Sequence, residues 1–217
     1  MTPNEITTVL ASGMNKVFDV PFKLMLMERV AVWRARHIRN TLEKNIQDRK
    51  FFRSTIFLSC TKTKEVPCTL PVDVCDVFVT GKVPEPIRAN GILFDNVGPI
   101  SGSNPFIETS PGTAFYRTAG KYSKHSVGYI YSDQKIYVLS SIPMIRVDFI
   151  AAYPEQVQDY QCTPTDDYTC DFWDTEYPCS ADILQLIMQS IREVDFKQDP
   201  ELKEQSIPVN PLDDISK

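Results

Sequence analysis

The chain has 217 residues, 42% hydrophobic and 24% charged, enough for one large core or two small ones in a soluble protein. Eight glycines against sixteen prolines argue against Gly-rich phosphate loops, and no apolar run approaches the ~20 residues of a membrane span, since Leu24-Met25-Leu26-Met27 stops at Glu28. The net charge of −5 hides two opposed blocks: Lys23 to Arg53 holds nine Lys/Arg against three acids, Glu155 to Lys217 fifteen acids against four bases. Such blocks seek their opposites, within one subunit or on a neighbour, so self-association is the first expectation.

In chain order, Ile6, Val9, Leu10, Met14 and Val17 recur at helical spacing, which predicts a first helix over about residues 4–16. Glu5, Lys16 and Asp19 interrupt the first twenty residues, so no secretory signal is expected and the chain reads as made and kept in a cytosol. Pro21 suits the first turn of a second helix running to about Asn45, which at 1.5 Å per residue would be roughly 36 Å long. Its wheel carries two apolar stripes. Phe22, Leu26, Val30 and Trp33 form one, and Leu24, Met27, Ala31, Ile38 and Leu42 the other. Two stripes need two partners, either inside one subunit or shared between the subunit's core and a neighbour. Glu28, Arg29, Arg36, Arg39 and Glu43 occupy the remaining face, with Arg39 and Glu43 spaced to pair.

From Thr55 the period becomes two. Strands are predicted over 55–59, 75–79, 92–94, 113–116, 127–131, 135–139 and 145–151, with a hairpin about Ser132-Asp133-Gln134-Lys135. Short strands in this number suit an antiparallel sandwich or barrel, with longer loops at 81–91 and 98–112. An acidic connection follows, with Asp159, Asp166, Asp167, Asp171, Asp174 and Glu176. Ser180 is the expected N-cap of a last helix, whose apolar face is Ile183, Leu184, Leu186, Ile187, Met188, Ile191 and Val194. That face needs a dock, most simply the helix from Pro21 to Asn45. From Lys197 five acids, three prolines and isolated Ile207, Val209, Leu212 and Ile215 make a tail that is free or held by a partner.

The fold class is therefore α+β: a small bundle of the N-terminal helices and the C-terminal helix (1–53 with 176–196), an inserted β-domain (54–154), an acidic connector (155–175) and an extended tail (197–217).

Chemistry is sparse. The six cysteines, Cys60, Cys68, Cys75, Cys162, Cys170 and Cys179, form no Cys-x2-Cys knuckle and are expected as reduced thiols, with His37 and His125 remote in sequence. The aspartates at 166–174 lack the order of a calcium loop. No catalytic, cofactor or metal residue is expected, and the chain is read as a non-enzyme. A nucleic-acid-binding regulator using the basic helix 21–45 is the alternative, although its bases scatter around both apolar stripes.

The words Val30-Ala31-Val32-Trp33-Arg34-Ala35-Arg36, Asp48-Arg49-Lys50-Phe51-Phe52, Phe149-Ile150-Ala151-Ala152-Tyr153-Pro154-Glu155 and Glu176-Tyr177-Pro178 lie in this layout of elements. Together they resemble the structural ring or adaptor proteins of crAss-like tailed bacteriophages, over roughly residues 4–196. The resemblance implies a virion structural protein of the neck or tail, assembled in the host bacterial cytoplasm, a head-to-tail connector among the stacked rings that link portal to tail. It implies partners that are the chain itself, as a dodecamer of on the order of twelve copies, together with the portal and other ring or tail proteins. Genomic DNA would pass through the channel without sequence-specific binding, and no membrane is involved. A cyclic contact fits the two-striped helix, so Leu26, Val30, Trp33, Arg34, Arg36 and Arg39 are expected at the subunit contact. Ile207, Val209, Leu212 and Ile215 are expected on a neighbouring ring or the portal.

Overall fold

The computed structural model describes residues 1–45, 48–63, 77–110, 113, 127–161 and 172–198. They fall into two compact units. One is built from Met1–Asn40 with the described residues from 172 onward, the other from the described residues between Thr41 and Gln161.

In the first unit helix α1 (Pro3–Ser12) opens on a capping box. The Thr2 N–H donates to Glu5 Oε2 at 2.9 Å and the Glu5 N–H to Thr2 Oγ1 at 3.2 Å, satisfying two donors that a bare helix start would leave open. Ile6, Leu10 and Ala11 are buried. The helix is shorter than its apolar spacing predicts, because residues 13–15 turn and Asn15 takes a left-handed φ of 56°. Val9 consequently lies on the open side.

Helix α2 (Val20–Lys44) matches its predicted bounds within one residue, and the Phe22 N–H donates to Asp19 Oδ1 at 3.0 Å at its start. Helix α5 (Ala181–Ser190) follows Ser180, which takes the N-cap position without a side-chain cap bond. It continues through a π-helical turn, Ile191–Asp195, and a last turn, Phe196–Gln198. The core of this unit gathers Ile6 and Leu10 of α1, Leu26 and Val30 of α2, and Leu184, Ile187 and Ile191 of α5 and its extension.

The second unit is a mixed sheet of seven strands: β1 (Ser54–Thr63), β2 (Val77–Thr80), β3 (Phe94–Pro99), β4 (Ile107–Glu108), β5 (Gly128–Ser132), β6 (Lys135–Val138) and β7 (Met144–Phe149). Their order is β3-β7-β1-β2-β6-β5-β4. The long strand β1 links the halves, since Ser54 to Ser59 pair with β7 and Cys60 to Thr63 with β2. The sheet nearly closes into a barrel, and beside β4 the Phe106 N–H reaches the Val97 carbonyl of β3 at 2.6 Å. Gly98 suits that approach, because a Cβ there would lie 3.4 Å from Pro105 Cα. Ile56, Leu58, Ile136, Val138, Ile145, Val147 and Phe149 fill the interior.

The β5–β6 hairpin closes as the sequence suggests, with Ser132 opposite Lys135 and Asp133 and Gln134 at φ 53° and 59°, the two left-handed positions of a type I′ turn. Strand β3 begins where the strand predicted at 92–94 ends, and β4 lies within the loop expected at 98–112. Three further features depart from expectation. First, the sheet is not wholly antiparallel: β4 runs parallel to β5, a pairing that the long connection 109–127 permits and a tight turn would not. Second, the start of the acidic connection is helical, α4 (Glu155–Gln161), because Val157 and Tyr160 lie one turn apart and pack on the barrel core. Third, a short helix α3 (Arg49–Phe52) precedes β1. Most of the strand predicted at 113–116, and the start of that at 75–79, lie outside the described residues, as do Cys68, Cys75, His125, Cys162, Asp166, Asp167, Cys170 and Asp171.

Candidate functional site

Periodicity alone would place both apolar stripes of α2 at boundaries. Most of both is buried, Phe22, Leu26, Val30, Met27, Ala31 and Ile38 in the first unit and Leu42 in the second, and only Leu24 opens outward. Arg34 is fully buried as well. Its Nε–H donates to the Pro178 carbonyl at 3.0 Å, and its guanidinium lies 5.9 Å from the centre of the Tyr177 ring. The Tyr177 N–H in turn donates to the Met1 carbonyl at 3.0 Å, so one arginine ties α2 to the segment before α5, which holds the chain's first residue.

The preceding residue, Trp33, donates its Nε1–H to Asp195 Oδ2 at 3.1 Å, a contact made from the wide π-helical turn. The Arg36 guanidinium lies over the Trp33 ring, 5.0 Å from its centre. His37 Nε2 lies 3.2 Å from Ser190 Oγ, and Ser190 Oγ donates to the Leu186 carbonyl at 2.8 Å. The hydroxyl proton is thus committed to the carbonyl, leaving the imidazole N–H as the donor to Ser190. Burial, and then the Arg36 charge, lower the pKa of His37, which favours this neutral ring. The pair resembles a nucleophile and its base but has the proton on the wrong partner for that chemistry.

Of the six residues expected at a subunit contact, Leu26, Val30 and Arg34 are therefore taken up by the unit's own packing and Trp33 is half-buried. Arg36 and Arg39 face outward. The outward apolar groups are others: Leu24 and Val32 on α2, 51% and 54% exposed, and, before the helix, Phe18, 96% exposed. Phe18 belongs to no periodic stripe, so helical spacing could not single it out. The tail residues Ile207, Val209, Leu212 and Ile215 lie outside the described residues.

The second unit has its own outward face. Along β1, Ile56, Leu58 and Cys60 point inward, so Phe57 and Ser59 point outward. Phe57 pairs with Arg146, Ser59 with Met144, and Thr55 with Asp148. Asp148 is buried and accepts from Thr55 Oγ1 at 2.7 Å, Arg146 Nε at 3.0 Å and Asn96 Nδ2 at 3.4 Å. Burial alone would raise its pKa, but these hydrogen bonds and the Arg146 charge outweigh that and hold the carboxyl below its ordinary range. Arg49 is likewise buried, paired through Nε with Asp95, so two bases of the early basic block, Arg34 and Arg49, face no solvent.

The described thiols are not poised for reaction. Burial pushes Cys60 up to about 11, and raises Cys179 against the opposing charge of Arg34. Among the described residues no group of three or more His, Cys, Asp or Glu could hold a metal ion, and no helix is long and apolar enough to cross a membrane.

A family model described as phage tail ring protein 2, of the crAss-like ring proteins, matches residues 26–210. No curated protein matches the chain. The match spans both units and most of the chain, and the chain belongs to that family.

Proposed function

We propose that this tail ring protein works without catalysis, as a closed ring of on the order of twelve copies in the phage neck or tail, joining portal to tail around the DNA channel. The observation that carries the reading is the outward row on α2: Leu24 and Val32, half exposed, set among Arg36 and Arg39, on a helix whose other sides its own unit has already covered. A cyclic contact joins two different surfaces of identical chains, and an apolar row edged by charge supplies one of them. The segment 197–217, in which Ile207, Val209, Leu212 and Ile215 alternate with acids and prolines, leaves its own subunit and is ordered on a neighbour, for which the family resemblance suggests an adjoining ring or the portal. Genomic DNA passes through the ring without being read.

The test is the mass of the purified protein by light scattering, alone and mixed with its portal, for the natural sequence and for Leu24→Ser/Val32→Ser. Discrete rings, or stoichiometric addition to the portal, with loss of either in the double variant, would support the reading. A monomer that ignores the portal yet gains mass with duplex DNA, the more weakly as salt rises, would replace it with nucleic-acid binding through the arginines of α2.

A further inference from the structure

Strand alternation leaves Phe57 and Met144 on the outside of the barrel, and Ile100 stands exposed in the turn after β3. Phe57 and Met144 are 49% and 41% exposed and diagonal across the β1–β7 pair, because Phe57 stands opposite Arg146 and Met144 opposite Ser59. Ile100, 52% exposed, follows directly on Pro99, the residue of β3 opposite Ile145. Single exposed apolar residues need no explanation, but a neighbouring set on one face does.

The exposed charge at this face is basic. Arg53 is exposed at the head of β1, and Arg146, partly exposed, stands between Phe57 and Gly98. The acid on this face, Asp148, is buried and tied to Thr55, Asn96 and Arg146. What such a face accepts is an acidic strand with spaced aliphatic side chains. The chain contains one. Residues 199–217 hold five acids against two bases, with Ile207, Val209, Leu212 and Ile215 spaced along them. Prolines at 200, 208 and 211 favour an extended backbone, and the segment is too poor in apolar area to fold alone. Fully extended it would span roughly 60 Å, more than the width of a small domain, so it can reach a second molecule. The family match runs on to residue 210, so the stretch with Ile207 and Val209 belongs to the family's shared region.

We infer that the outer face of β1 and β7 about Phe57 and Met144, with Arg53, Ile100 and Arg146 at its margin, receives residues 199–217 of a second copy of this chain. This rests on the ring reading above and narrows it: the neighbour is the next copy. Aliphatic side chains of the segment lie on Phe57 and Met144, and its acids face Arg53 and Arg146.

The experiment uses the full chain with a photoreactive benzoyl-phenylalanine in place of Val209, prepared as isotopically heavy and light copies that are mixed, irradiated and mapped by mass spectrometry. The expected result is cross-linking from position 209 to residues 53–59 or 144–146 between heavy and light copies. Phe57→Asp/Met144→Asp, which alters outward positions, should lower that yield on the order of tenfold while leaving the thermal transition in place. Cross-links confined to one copy, cross-links mapping elsewhere, or no cross-links would overturn the inference. Light scattering of the unirradiated protein judges the ring separately: rings whose cross-links map elsewhere sink this contact alone, whereas cross-links on this face in a protein that never closes a ring uphold the contact and sink the ring.

Discussion

Arg34 and Pro178 are joined by a 3.0 Å hydrogen bond across 144 residues of sequence, from an arginine with no exposed surface. That bond uses a base from the positive block of the chain to hold the backbone that leads into α5. Its role is to fix the entry of α5 onto α2.

Arg34→Met keeps most of the side-chain volume but leaves the Pro178 carbonyl without this donor. The helical unit should lose about 2–4 kcal/mol. Urea denaturation followed by far-UV circular dichroism measures it, and Arg34→Lys should recover little, since a point ammonium cannot reproduce the planar fork. A variant as stable as the natural protein would show that the bond contributes nothing net.

Asp148 has a lowered pKa, so its contribution to stability is present above the ordinary carboxylate value near 4 and is lost as pH falls through the lower folded value. Asp148→Asn should cost about 2 kcal/mol at neutral pH and flatten the acid limb of the stability curve below about pH 4. Melting temperatures of the two proteins between pH 7 and 2 read both effects, and parallel acid limbs would assign the pH dependence to other carboxylates.

His37 is a base with a lowered pKa, so the sign reverses. The unfolded chain takes up a proton that the folded one resists, and stability falls as pH drops below the ordinary histidine value near 6.5. His37→Gln removes that slope while keeping a donor for Ser190. Comparing melting temperatures at pH 7.5 and 5.5 should give a smaller drop for the variant, and an equal drop would place the effect at another group.

Gln134 sits at φ 59°, in a left-handed position that an L side chain resists and glycine does not. Gln134→Gly creates Asp-Gly, a preferred pair for a two-residue type I′ turn, and should stabilise the barrel by about 0.5–1 kcal/mol. Thermal denaturation decides it, and a loss of stability would mean that the added freedom of the unfolded chain outweighs the relieved turn.

Local pattern determined a good deal here. The bounds of α2 followed from Pro21 and an unbroken 3.6-residue period, and the β5–β6 hairpin from two alternating runs about Asp133-Gln134. The α+β class followed from the change of period at Thr55, because helical and strand periods depend on residues within a few positions of one another. Tertiary structure alone decided which of those residues face water. Leu26, Val30 and Arg34 looked available for a neighbour and are enclosed by α1, α5 and the segment at Pro178, all brought together from far along the chain. Phe18, Phe57 and Met144 carried no sequence signal as a surface, since exposure is set by what fails to cover a side chain. The parallel β4–β5 pairing and the π-helical turn at Ile191–Asp195 belong to the same class, fixed by a distant strand and by the packing of Trp33 on Asp195. A sequence fixes its periods locally, but burial is a property of pairs of surfaces that meet only when the chain has folded.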